Sequence, residues 1–117
     1  MSLADPKDVS AAGADAIKAA AELQRLRYVY AAVERELIAL KSRLAEVSEA
    51  KRVLGKGVAR KCFRFLGGLL IEVGEEEARK YLEEEEETLK LRIESAEKRR
   101  KEILEKIREL ERSLGII

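Results

Sequence analysis

The stretch Cys62-Phe63-Arg64-Phe65-Leu66-Gly67-Gly68-Leu69-Leu70-Ile71-Glu72-Val73 decides how the rest of the chain is read. Within the segment from Val58 to Val73, two runs of bulky β-formers are separated by two glycines. A two-residue Gly-Gly loop favours a type I′ turn, whose backbone twist matches that of the strands it joins. That turn sets Leu66 opposite Leu69, Arg64 opposite Ile71 and Cys62 opposite Val73 on one face. Phe65 then faces Leu70, and Phe63 faces Glu72, on the other. Both faces are substantially apolar. A lone hairpin is marginally stable in water at best, and its edges leave backbone amides unpaired beside apolar side chains. The hairpin therefore requires partner strands that one chain does not have. The residues expected at that oligomer interface are Cys62, Phe63, Phe65, Leu66, Leu69, Leu70, Ile71 and Val73.

On either side of the hairpin the period changes from two to three and a half. Before it, Leu23, Leu26, Tyr30, Val33, Leu37, Leu40, Leu44 and Val47 step by three and four toward Leu54, which is a heptad seam. Continued backwards, the seam meets Ala19, Ala16, Ala12 and Val9, so the pattern persists while its side chains shrink. Asp5 as cap and Pro6 at the first helical position mark a start, and Gly55 and Gly57 mark the end. After the hairpin, Leu82, Glu86, Leu89, Ile93, Ala96, Arg100, Ile103, Ile107, Leu110, Leu114 and Ile117 form a second seam, with Gly115 as the helix's left-handed stop. Glu86 and Arg100 are its polar members, of the kind that fixes register at some cost in stability. The fold expected is mainly α, a single domain over 1–117: helices at about 6–54 and about 75–114, antiparallel, with one β-hairpin at about 58–73.

Composition supports long helices over a conventional core. The 117 residues include 24 Lys+Arg and 23 Asp+Glu, giving a net charge of +1 with 40% of the chain charged, but only three Tyr and two Phe. No His is present to titrate near neutrality. Cys62 is the sole cysteine, so neither an intrachain disulfide nor a Cys/His zinc site fits one chain. No catalytic residue, metal ligand or cofactor site is expected. Gly55-Lys56-Gly57 lacks the spacing of a phosphate loop and reads as a helix break. Six basic residues between Lys51 and Arg64 could mark a nucleic-acid patch, but nine Glu between Glu72 and Glu87 stand ready to neutralise them. The run Glu83 to Glu87 points around a helix and reads as a solvated acidic face. No apolar run approaches the roughly 18 residues of a spanning helix, and no signal-peptide order opens the chain. A cytoplasmic protein is expected, with no membrane and no nucleic-acid partner. The absence of Asn, a single Gln and the abundance of Glu, Lys and Arg match the bias of proteins from hot environments.

The hairpin motif, flanked by heptads and followed by an acidic helix start, resembles the β-type prefoldin pattern: apolar, aromatic, basic, two variable residues, Gly, one variable residue, three apolar residues, a polar one and an apolar one. A single hairpin, rather than two, separates the β type from the α type. The resemblance implies an ATP-independent holdase. Hairpins of α-type and β-type subunits would assemble a β-barrel body in a hexamer, and coiled coils hanging from it would hand unfolded proteins to a group II chaperonin. Phe65 and Leu66 are more apolar than that family's variable positions, which would also allow a homo-oligomer. Client binding is then expected at the coiled-coil tips, at Val9, Ala12, Ala16 and Ile17 of the first helix and Leu110, Leu114, Ile116 and Ile117 of the second. The competing reading is a coiled-coil scaffold or adaptor without chaperone activity.

Overall fold

A computed structural model of the chain describes residues 6–57 and 61–116, with side chains from residue 13 onward. Helix α1 (Pro6–Gly55) is followed by strands β1 (Cys62–Leu66) and β2 (Leu69–Val73) and by helix α2 (Glu75–Ser113). Two long helices and a hairpin between them are present; β1 begins at Cys62, and residues 58–60, where the hairpin was expected to start, lie outside the described residues. The capping role of Asp5 lies outside the described residues, although Pro6 does begin the helix.

The helix ends follow from local chemistry. At the end of α1, the Lys56 amide donates to the Val53 carbonyl at 3.2 Å and the Gly57 amide to Leu54 at 3.2 Å. Gly57 has a φ of +68°, the left-handed conformation that ends helices and that glycine adopts without penalty. Helix α2 opens on Glu75, Glu76 and Glu77, whose charges suit the positive end of the helix dipole. It closes on a Schellman motif: the Gly115 amide donates to Arg112 at 3.1 Å and the Ile116 amide to Glu111 at 2.9 Å.

The chain divides into two units. The terminal unit comprises the chain up to Arg35 together with Glu97–Ile117. Its core is Leu23, Leu26 and Ile107, against which Tyr30, Ile103, Leu110 and Leu114 pack. Here the two helical segments run antiparallel: Arg27 meets Glu111 at 3.3 Å, while Glu34, further along α1, meets Arg100 at 3.5 Å. The hairpin unit is Glu36–Ala96. Leu37, Leu40, Val47 and Leu54 of α1 and Leu89 and Ala96 of α2 are buried within it.

All the seam positions from Leu23 to Leu54 and from Leu82 to Leu114 are buried or half-buried. Helices this long gain their stability from such a stripe rather than from propensity, since burying a Leu or Val fully is worth about 1.5–3 kcal/mol. The seam fades where its side chains shrink, with Ala19 half-buried and Ala16 exposed. Same-helix ion pairs cover the outer faces: Glu22–Arg25 closes at 2.6 Å and Glu76–Arg79 at 3.2 Å, and Glu49 pairs with Arg52.

The hairpin register is the one the turn demanded: Cys62 with Val73, Phe63 with Glu72, Arg64 with Ile71, Phe65 with Leu70 and Leu66 with Leu69. Gly67 and Gly68 have φ of +57° and +82°, the two positive values a type I′ turn needs. A residue with a Cβ costs roughly 1–2 kcal/mol in that region.

Candidate functional site

The two hairpin faces have different environments. The face carrying Cys62, Arg64 and Val73 turns toward a groove of about 370 Å³. Ala50, Val53 and Leu54 of α1, Phe63 of β1 and Glu77, Ala78, Tyr81 and Leu82 of α2 line the groove with them. Cys62, Arg64 and Val73 are accordingly half-buried. On the same face, Leu66, Leu69 and Ile71 lie nearer the turn and stay exposed. The opposite face is open, with Phe65 70% and Leu70 64% exposed, and Phe63, exposed as well, also lines the groove. The eight expected interface residues thus fall into an exposed majority and a pair, Cys62 and Val73, already half-covered by the chain's own helices.

Among the described residues lining that groove, Arg64 is the one cation. Its guanidinium carbon lies 4.3 Å from the centroid of the Tyr81 ring, a cation–π contact. The Tyr81 hydroxyl donates to Glu85, which raises the phenol above its ordinary value, with burial adding to the effect. Two nitrogens of Arg43 converge on the same Glu85 oxygen, Nε at 2.9 Å and Nη2 at 2.8 Å. Tyr81 first, and Arg43 after it, hold the Glu85 carboxyl below the usual range although burial opposes them. Next along α2, Glu86 accepts from Ser48 at 3.2 Å and pairs with Lys90 at 3.3 Å and Lys51 at 3.7 Å. Its carboxyl is lowered, chiefly by Lys90.

These contacts correct one expectation. Glu83, Glu84 and Glu87 are exposed, as a solvated acidic face requires, but Glu85 and Glu86 are half-buried and paired across to α1. The reason is helical geometry: two consecutive residues beside the Leu82–Leu89 seam flank the partner helix, while the rest of the run points away. The Lys51–Glu86 pair realises part of the expected neutralisation between the basic and acidic runs.

In the terminal unit the expected client-binding residues separate. Ile17 is 71% exposed, Ala16 and Ile116 are exposed, and Leu110 and Leu114 are half-buried against the Leu23–Leu26–Ile107 cluster. The side chains of Val9 and Ala12, and Ile117 as a whole, lie outside the described residues. Sequence reading missed Tyr28, which is 72% exposed in the same unit. It also missed the Arg64–Tyr81–Glu85–Arg43 set, although a lone arginine on an apolar strand face was a signal that some partner had to receive it. Among the described residues, no helix is long and apolar enough to cross a membrane.

Two long helices joined by one antiparallel hairpin, with heptad seams on both sides, define a prefoldin-type subunit. A family model described as a prefoldin subunit matches residues 18–116. The chain belongs to the prefoldin subunit family. The crystal structure of the prefoldin beta2 subunit from Thermococcus strain KS-1 is similar, with a TM-score of 0.54 and 25% sequence identity over 83% of this chain and 97% of that one. Together with the single hairpin, this likeness makes the chain a β-type prefoldin. No curated protein matches the sequence.

Proposed function

We propose that the chain is a subunit of an ATP-independent holdase, assembled through its hairpin and binding non-native proteins through its coiled coil before transfer to a group II chaperonin. The observation that carries this reading is the hairpin's open face. Phe63, Phe65 and Leu70 stand exposed on one side, and Leu66, Leu69 and Ile71 remain exposed on the other. Covering each such side chain is worth about 1.5–3 kcal/mol, and among the described residues the two-stranded sheet has no further strand to do so. Partner hairpins, from an α-type subunit or from further copies of this chain, are the cover of matching chemistry.

Client binding belongs to the terminal unit, at Val9, Ala12, Ala16, Ile17, Leu110, Leu114, Ile116 and Ile117. The exposure of Ile17 and Ile116 supports this, because grouped apolar side chains left in water mark interaction sites. The protein acts without catalysis, in the cytoplasm, and its charge-rich composition suits a thermophilic source. Light scattering of the purified chain, alone and with an α-type subunit, tests assembly; suppression of aggregation of a denatured client without ATP tests holding. Truncation after Ser113 should weaken suppression and leave the assembly mass unchanged. A stable monomer that leaves aggregation untouched would instead establish the coiled-coil adaptor reading.

A further inference from the structure

We infer that Arg64 is the positioning residue that decides which hairpin face is offered for assembly, by pinning β1 onto Tyr81. The choice needs a cause, because hydrophobicity does not make it. One face of the hairpin carries Cys62, Leu66, Leu69, Ile71 and Val73, and the other carries Phe63, Phe65 and Leu70. Either could lie on the apolar groove. The two charged residues of the strands break the tie, since Arg64 belongs to the first face and Glu72 to the second.

Among the described residues the groove lining offers a cation the Tyr81 ring and the Glu77 carboxylate, and offers an anion no cation but Arg64 itself. A guanidinium set among Ala50, Val53, Leu54 and Leu82 loses hydration and needs compensation. The Tyr81 ring supplies it at 4.3 Å. Among the described residues no hydrogen-bond acceptor meets the buried Arg64 Nε, so the ring takes this side of the group, and the Glu85 carboxylate adds Coulombic attraction. The ring is itself fixed, because its hydroxyl is bound to Glu85 and Glu85 to Arg43 at 2.8 Å. One chain of contacts therefore links β1, α2 and α1 within the hairpin unit. Because side chains alternate along a strand, turning Arg64 inward turns Phe65 outward and leaves Phe63 exposed, although Phe63 also lines the groove. A partner hairpin then meets a preset surface, and less orientational freedom is lost on association.

That consequence for assembly rests on the proposed function, but the pin does not. Cys62 tests it, being the sole cysteine of the chain, on the Arg64 face and half-buried in the groove. Its rate of reaction with a soluble aromatic disulfide reagent reports lifting of that face, and should be measured on the full chain below and above its assembly concentration. Arg64→Leu and Tyr81→Leu should accelerate the reaction by roughly three- to tenfold, on the scale that losing a cation–π contact allows. Tyr81→Phe, which keeps the ring, should accelerate it less. The same order should appear in the concentration needed for assembly, with helical circular dichroism unchanged. Leu26→Ala, a destabilising change in the terminal unit, should leave the thiol rate alone. Equal rates for Arg64→Leu and the unaltered chain, or for Tyr81→Phe and Tyr81→Leu, overturn the pin. A chain that never assembles removes the assembly reading and leaves the thiol rates to judge Arg64.

Discussion

In the terminal unit, Tyr30 donates to Glu34 four residues on, and Glu34 meets Arg100 of the other helix at 3.5 Å. In the hairpin unit, Tyr81 donates to Glu85 four residues on, and Glu85 meets Arg43 of the other helix at 2.8 Å. The arrangement is the same with the helices exchanged, and its purpose differs by one residue. Around Tyr30 the contacts end within the helix pair. Around Tyr81 a fourth member, Arg64, joins from a strand. The comparison teaches that a Tyr–Glu–Arg bridge serves helix pairing in both units and becomes a mount for the hairpin only where a cation reaches its ring. The units also differ in what they leave unfinished. The terminal unit packs Leu23, Leu26 and Ile107 away from water, whereas the hairpin unit holds Phe65 and Leu70 out into it.

The largest test of that contrast is Phe65→Asp. A charge on the exposed hairpin face should weaken assembly at least a hundredfold, since an unpaired charge in an apolar interface costs several kcal/mol. Ile17→Asp in the terminal unit should leave the mass by light scattering unchanged, and dissociation by both variants would erase the distinction.

Chemical denaturation offers a second test. Leu26→Ala removes a side chain that is 5% exposed and should lower stability by about 2–4 kcal/mol. Leu70→Ala in the unassembled chain should change it by no more than about 0.5 kcal/mol, because that side chain is still in water. Similar losses at both positions would mean that the hairpin is already covered within one chain.

The paired bridges can be compared directly. Glu85→Gln should cost about 1 kcal/mol and Glu34→Gln about half that or less, because the Glu85 side chain is 20% exposed and Glu34 39%. The acid limb of the stability curve follows from the same group. In the folded chain Glu85 binds its proton less tightly than in the unfolded chain, owing to Tyr81 and Arg43. Its contribution is therefore complete above the unfolded carboxylate value of about 4.3 and is lost as pH falls through the lower folded value. Thermal melts of Glu85→Gln should be flatter over that range. Tyr30 and Tyr81, both raised chiefly by bonds to their glutamates, contribute fully below about pH 10 and lose that contribution as pH climbs through their folded values. The smallest expected effect is Cys62→Ser, which should leave assembly and client holding unchanged in the same assays.

Much of this architecture is legible in the sequence. The heptad spacing from Leu23 to Leu54 and from Leu82 to Leu114 located both helices and their buried stripe. Gly67-Gly68 set the strand register to the residue, because a two-residue turn with two positive φ values leaves no slack. The exposed apolar side chains Phe63, Phe65, Leu66, Leu69 and Leu70 of the hairpin were legible as an excess over what one hairpin can bury. Less legible was the run Glu83 to Glu87, where spacing alone did not say which glutamates would find α1.

The sequence by itself determined what local rules control: helix spans, seam, turn and pairing are set by neighbours a few residues away along the chain. Alternation divides a strand into two faces but does not rank them when both are apolar. Only the tertiary structure decided that the Cys62–Arg64–Val73 face lies inward, because the groove that receives it is built from Ala50, Val53 and Leu54 on one side and Ala78, Tyr81 and Leu82 on the other. Those residues are distant in sequence, and a ring at one helix start can compensate a cation on a strand only once the fold has brought them to 4.3 Å.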